Sequence, residues 1–205
     1  MIHILFFDTD ILVCVKPRGV LSEGDGNACM PRLLADQLQE RGEQDRIFPV
    51  HRLDKETEGL MVFARTSSAA AALSRAIVEG TMKKEYLATL CGTPAEEQGR
   101  LTDLLFYDRK RGKSFVVDRP RKGVKEAILD YRVIKRDENR TLVRVSLLTG
   151  RTHQIRVQFA TRGLPLVGDR RYGAPAEGEP LALCACRLTF PHPKTGEILM
   201  FELEK

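Results

Sequence analysis

Between Ala127 and Leu147 the chain alternates with a period of two, and no other pattern in the sequence restricts local structure as tightly. Ala127, Leu129, Tyr131 and Val133 fall on one side of an extended run, with Ile128, Asp130 and Arg132 on the other. Val143, Val145 and Leu147 repeat the alternation after a polar turn at Asp137 to Asn139, so an antiparallel hairpin with one wet face is expected. Strands are read at Ile4 to Phe7 and Ile11 to Val15, closed by Lys16, Pro17 and Gly19, and again at Gly59 to Arg65 and Tyr86 to Leu90. Helical spacing appears over Pro31 to Arg41 in Leu33, Leu34 and Leu38. Ser67 to Val78 reads as a helix capped by Ser67 or Thr66, with Gly80 beyond its end, and Thr152 to Thr161 as a short one ending before Gly163. A Gly- and Pro-rich loop covers 163–180, and two closing strands, Leu181 to Phe190 and Glu197 to Leu203, flank the turn PHPKTG. This order gives an α+β fold: a mixed, mostly antiparallel central sheet with flanking helices and loops. At 205 residues, one sizeable core or one core with a small lobe is expected.

A hydrophobic share of 42% beside 30% charged residues is globular composition and excludes a disordered chain. No stretch approaches the roughly 18 consecutive apolar residues of a membrane helix. The opening MIHILFFDTDILVCV is broken by Asp8 and Asp10 without a basic segment before it, so a soluble, unexported, cytoplasmic protein is expected. The five cysteines, at positions 14, 29, 91, 184 and 186, are odd in number and scattered, which fits small core residues in a reducing compartment. Cys184 and Cys186 share a strand face, but without a second pair at zinc-finger spacing no metal site is expected.

The net charge of +5 is weak in itself, and its distribution is more telling. RKRGKSFVVDRPRK carries Arg109, Lys110, Arg111, Lys113, Arg119, Arg121 and Lys122 against the single acid Asp118. Phe115, Val116 and Val117 separate its two basic blocks, and Gly112, Pro120 and Gly123 punctuate it, as in a hairpin projecting from a sheet. Such a segment suits a phosphate backbone, and equally suits a solvated hairpin with no partner.

Three places set polar residues where a core pattern would not: His51-Arg52-Leu53-Asp54, Lys84-Glu85-Tyr86, and Gly150 to Arg156 at a strand-to-helix turn. Asp54 stands just ahead of the apolar Leu60, Met61, Val62 and Phe63, and a carboxylate held against such a strand needs a partner to stay ionised. Arg151 and Arg156 are the candidates. They lie about one and a half turns apart on the expected helix and so point in different directions. An Asp–Arg pair suits a nucleophile or base better than a general acid, and an ordinary buried ion pair reads equally well at this point.

HRLDKETEGLMVFART, then KKEY, then GRTHQIRVQFATRGLPLVGDRRYG resemble in order the signature segments of the RluA family of RNA pseudouridine synthases. The resemblance extends from KPRGV near the start to LTFPHPKTGE near the end. It implies isomerisation of uridine to pseudouridine within RNA: the N1–C1′ bond breaks, the uracil turns while bound, and C5 rejoins C1′, without cofactor or metal. It assigns catalysis to Asp54, as nucleophile at C1′ or as base toward the 2′ proton, both of which require an ionised carboxylate. It makes Arg156, rather than Arg151, the partner of Asp54. Tyr86 then stacks on the target uracil, and Arg52 fills the space left by the flipped base. Leu53 and Leu166 form an apolar wall. His51, Thr57, Thr152, His153, Gln154 and His192 are read as structural or turn residues.

Two departures stand out. Glu58 occupies a position often small in the family, and no S4-like RNA-binding domain precedes the catalytic strands, so a single catalytic domain over 1–205 is expected to select its RNA unaided. The substrate implied is transfer RNA, ribosomal RNA or both. The protein is expected to be a monomer without membrane contact, since no long exposed apolar seam shows. Two other readings share some of these features. One is a catalytically idle RNA-binding protein of the same fold, which has no reason to keep Asp54, Tyr86 and Arg156 together; the other is a glycoside or nucleoside hydrolase, which needs a second carboxylate for which Glu58 is the candidate.

Overall fold

The structure, a computed structural model, describes residues 1–24, 26, 28–174 and 178–204; residues 175–177 of the expected Gly- and Pro-rich loop fall outside it. The chain runs β1 (His3–Phe7), β2 (Ile11–Lys16), α1 (Met30–Gln39), β3 (Phe48–Pro49), β4 (Glu58–Ala64), α2 (Ser67–Val78), β5 (Lys83–Cys91), β6 (Gln98–Asp108), β7 (Lys113–Val117), β8 (Val124–Asp137), β9 (Arg140–Leu147), α3 (Gln154–Ala160), a 3-10 turn at Arg170–Tyr172, β10 (Leu183–Pro191) and β11 (Ile198–Glu202). This is an α+β architecture on mostly antiparallel strands. Two compact units divide it: Met1–Lys84 together with the C-terminal stretch from Ala185, and Glu85–Cys184.

In the first unit the strand order is β1-β2-β4-β10, with β11 beside β10 and β3 beside β4. Val13 of β2 faces Val62 of β4, and α2 lays Ala69, Leu73 and Ala76 on Ile11, Val13, Leu60, Val62, Leu188 and Phe190. Those helix positions are spaced four and three apart, which makes one stripe. The helix starts where expected because Thr66 Oγ1 accepts the Ala69 amide at 3.1 Å, and it stops before Gly80, whose φ of +69° continues no helix. Pro31 sits in the first turn of α1, where its missing N–H costs nothing; Leu34 and Leu38 are buried, and Gln37 clasps both the N–H and the C=O of Ile2. Gly59 of β4 has φ +125°, and a Cβ there would stand 2.3 Å from the Ala185 carbonyl oxygen.

The second unit orders its strands β5-β9-β8-β6-β7. The β8–β9 hairpin has the register its alternation predicts, Leu129 opposite Leu147, Tyr131 opposite Val145 and Val133 opposite Val143. Strand β6 was not expected. Its buried residues, Leu101 and Leu105, are four apart and interrupted by Asp103 and Leu104, so no period of two shows; long pairings with β8 and with β7 hold it extended. The basic segment is a strand between two turns. Arg109, Lys110 and Arg111 lie in the first, where Asp108 Oδ1 accepts the amides of Lys110 and Arg111; Lys113 opens β7, and Arg119, Arg121 and Lys122 lie in the second.

One placement needs correction. Arg151 does not ride on α3, because His153 takes a left-handed conformation (φ 55°) and the helix begins only at Gln154. Arg151 instead donates from Nε to the Glu126 carbonyl at 2.8 Å.

Candidate active site

In the first unit Asp54 sits, half-buried, in the loop between β3 and β4, at the head of a turn closed by the Thr57 amide donating to the Asp54 carbonyl at 3.0 Å. The backbone on either side of Asp54 is fixed to segment 16–22. Ser22 Oγ donates to the Leu53 carbonyl at 2.8 Å and accepts the Leu53 amide at 2.9 Å. The Lys55 carbonyl accepts from the Gly19 amide at 2.9 Å and from Lys16 Nζ at 3.0 Å. Lys16 is fully buried, and its ammonium also donates to the Pro17 carbonyl at 2.8 Å and the Val20 carbonyl at 2.7 Å. Three N–H donors thus meet three carbonyls, which satisfies a charge that would otherwise be costly inside a fold. Burial lowers the Lys16 pKa to about 8 against the opposing pull of Glu56, Asp54 and Glu58. Neither Lys16 nor Ser22 was among the expected site residues: Lys16 opens KPRGV, where the resemblance begins without assigning it a role, and Ser22 stands near turn glycines that read as punctuation.

The neighbours of Asp54 differ in kind. Leu53 is buried, at 5% exposure. Arg52 is exposed and bonds Glu23 at 2.7 Å. Glu58 pairs with Arg18 at 3.3 Å. His51 Nε2 accepts the Val62 amide at 3.1 Å, which leaves the ring proton on Nδ1, an atom sealed from solvent without a hydrogen-bond partner among the described residues. Burial, reinforced by the charge of Lys84, holds the His51 pKa well below the ordinary histidine value. His51 therefore ties its loop to β4 as a neutral ring.

The second unit carries Tyr86, Arg156 and Leu166. Tyr86, 6% exposed, stands on β5 opposite Val145 of β9. Leu166 is fully buried and bridges to Leu90. Arg156, on α3, points its Nε and Nη2 at Asp169, at 2.7 and 2.8 Å, with side-chain exposures of 7% and 0% for the two residues. The guanidinium also lies 5.2 Å from the centre of the Tyr172 ring. A buried guanidinium gripped at two nitrogens is fixed in plane and direction. Asp169 and Tyr172 were assigned no role from the sequence: they sit in GDRRYG, the end of the third resembling segment, in a Gly- and Pro-rich stretch read as loop.

Gln154 and His153 shape the turn before α3. Gln154 Oε1 accepts the Arg151 amide at 3.0 Å and the Thr149 hydroxyl at 2.8 Å, while its Nε2 donates to the Ile128 carbonyl at 3.1 Å. Of the basic hairpin residues, Arg109, Lys110, Arg111, Arg119, Arg121 and Lys122 are exposed and Lys113 is half-buried. Arg121 lies 4.9 Å from the Phe106 ring centre, and Arg111 and Lys113 each 5.8 Å from that of Phe115, so cations and aromatic faces alternate along this edge. Among the described residues no three His, Cys, Asp or Glu side chains gather as a metal site would require, and no helix is long and apolar enough to cross a membrane.

Residues 10–161 match the family model described as RNA pseudouridylate synthase. The chain is 37% identical to an uncharacterized RNA pseudouridine synthase of Aquifex aeolicus, over 100% of its own length and 69% of the relative's. It is 35% identical to the ribosomal large subunit pseudouridine synthase D of Nitrosomonas europaea, over 98% of its own length and 61% of the relative's. Among solved structures, it shares its fold with human RNA pseudouridylate synthase domain containing 4, at 24% identity and a TM-score of 0.82, covering 98% of this chain and 88% of that one. It shares it too with domain containing 1, at 23% identity and a TM-score of 0.83, covering 100% and 84%.

Proposed function

Because this chain belongs to the RNA pseudouridylate synthase family, in its RluA branch, and is thereby an isomerase, we propose that it converts uridines of ribosomal RNA, transfer RNA or both to pseudouridine with Asp54 as the catalytic carboxylate. The observation that carries the assignment is the double fastening of the Asp54 loop, by Ser22 at Leu53 and by Lys16 and Gly19 at Lys55. A surface acid needs no buried ammonium to hold its backbone. A carboxylate that must meet one sugar carbon within a fraction of an ångström needs its backbone held in place.

On this reading Asp54 acts at C1′ or on the 2′ proton, the N1–C1′ bond breaks, and the uracil rotates to join C5 to C1′; C5 gives up its proton and N1 gains one. Tyr86 stacks on the uracil and its hydroxyl serves the C5 proton. Arg156, its plane fixed by Asp169, supplies the positive charge that keeps the catalytic carboxylate ionised. Arg52 occupies the helix position vacated by the flipped nucleotide, exchanging Glu23 for RNA, and Leu53 and Leu166 keep water from the reactive sugar. Arg109, Lys110, Arg111, Lys113, Arg119, Arg121 and Lys122 hold the phosphate backbone. The name of the Nitrosomonas relative favours large-subunit ribosomal RNA as the substrate. The acid that a hydrolase would need, Glu58, is engaged by Arg18.

Tritium at C5 of uridine leaves when pseudouridine forms, so its release from 5-tritiated large-subunit ribosomal RNA and transfer RNA transcripts measures the reaction. Asp54→Asn is expected to lower release by at least about 10³-fold while RNA affinity stays within about threefold. Release undiminished in Asp54→Asn would overturn the assignment.

A further inference from the structure

Tyr172 belongs to the core of the second unit, packed with Leu105, Ala127 and Val157, yet both its face and its hydroxyl have polar work. The Arg156 guanidinium lies 5.2 Å and the Lys113 ammonium 4.8 Å from the centre of its ring. Its hydroxyl oxygen accepts the Ser114 amide at 2.8 Å and stands 3.0 Å from His153 Nδ1. Burial pushes its pKa up to about 12, so the phenol keeps its proton near neutrality.

Around this residue the basic hairpin is fastened to the turns on either side of α3. Ser114 Oγ donates to the Thr152 carbonyl, and Arg171 Nη1 donates to the Gly112 carbonyl. The turn ahead of α3 and the 3-10 turn after it thus both hold the start of β7. Asp169, which grips Arg156, accepts nothing from the hairpin in these contacts; among the residues named here, Tyr172 alone touches Arg156 on one side and β7 on the other.

We propose that Tyr172 is a positioning residue with two separable tasks: its ring, together with Asp169, orients Arg156, and its hydroxyl anchors the Gly112–Ser114 end of the basic hairpin. The inference rests on the reading above, in which Arg156 serves the reaction and the hairpin holds RNA. A cation over an aromatic face is sensitive to loss of the ring and indifferent to loss of the hydroxyl. The Ser114 amide is sensitive to loss of the hydroxyl, because it is buried and the hydroxyl oxygen is its acceptor. The two tasks therefore come apart by substitution.

The test is steady-state tritium release from the transcript that the unsubstituted protein turns over. Tyr172→Phe keeps the ring, and is expected to raise KM about fivefold with kcat within about twofold. Tyr172→Leu removes both, and is expected to raise KM similarly and to lower kcat by a further factor of up to about 10². Asp169→Asn, which keeps the shape and loses the charge, is expected to lower kcat with KM unchanged. A merely structural role would reduce the folded, active fraction; kcat would then fall alike in Tyr172→Phe and Tyr172→Leu with KM constant, and that pattern overturns the proposal. Arg156→Ala separates the two possible failures. Activity lost in Arg156→Ala and kept in full by Tyr172→Leu overturns this inference alone, whereas activity kept in Arg156→Ala overturns the functional reading and the inference with it.

Discussion

His51 shows how much a single side chain in the HRLD segment contributes without doing chemistry. Its Nε2 accepts a β4 amide, and a proton added to that nitrogen would remove the acceptor and place a charge beside Lys84. The folded pKa lies well below 6.5 while the unfolded chain titrates near 6.5, so below that pH the unfolded state binds a proton that the native state refuses. Stability is therefore full above about pH 6.5 and falls as pH is lowered beneath it, by up to about 1.4 kcal/mol per pH unit. Urea unfolding at pH 7.5, 6.5 and 5.5 checks this, and His51→Gln, whose amide oxygen still accepts, should flatten the profile between pH 6.5 and 5.5. Asp8 works in the same sense over a lower pH range. Although burial raises its pKa, the amides of Ile11 and Asp10 and the neighbouring His192 together lower it, so its contribution persists to lower pH than that of an ordinary aspartate.

At the scale of elements, β4 depends on a residue that is not there. Gly59 holds φ +125° with the Ala185 backbone where a side chain would begin. Gly59→Ala must bend β4 away from β10 or strain both, and is expected to cost at least about 3 kcal/mol, read from the urea midpoint. The β6–β7–β8 hairpins answer to charge. Replacing Arg109, Lys110 and Arg111 together by Gln should weaken RNA binding and reduce the slope of log K against log salt by about 2; an unchanged slope would remove this turn from the interface. Elements of this kind differ in how openly the sequence displays them. The hairpin at 127–147 and helix α2 were legible because their apolar residues repeat at the period of the element and their caps are local. Strand β6 was not, because its pairing with β8 and β7 overrides a pattern with no period. Motif blocks offered Asp54, Tyr86 and Arg156 as candidates, whereas the contacts of Lys16, Ser22, Asp169 and Tyr172 reach residues 13 to 58 positions away, a range over which no periodicity reports.

Taken as a molecule, the chain keeps its five cysteines as thiols, four of them buried. Cys14, Cys29, Cys184 and Cys186 should stay silent toward an aromatic disulfide reagent in the folded state. Cys91, half-buried and with its pKa raised chiefly by burial, should react slowly as the single accessible equivalent, and five should appear after unfolding. Loss of the melting transition on adding reductant would contradict this. The division into units has a different consequence, one of timing. The first unit is discontinuous: β4 lies between β2, made early, and β10, which belongs to the last stretch of the chain. While the ribosome is still adding residues 85–184, the hydrogen-bonding edge of β4 and the apolar face that will receive Leu188 and Phe190 have nothing to meet. The unit that carries Asp54 is thus begun before residues 85–184 are made and completed only after them. A nascent chain stalled before Ala185 should recruit chaperones through that open edge, and full release should coincide with the first appearance of protection at β4.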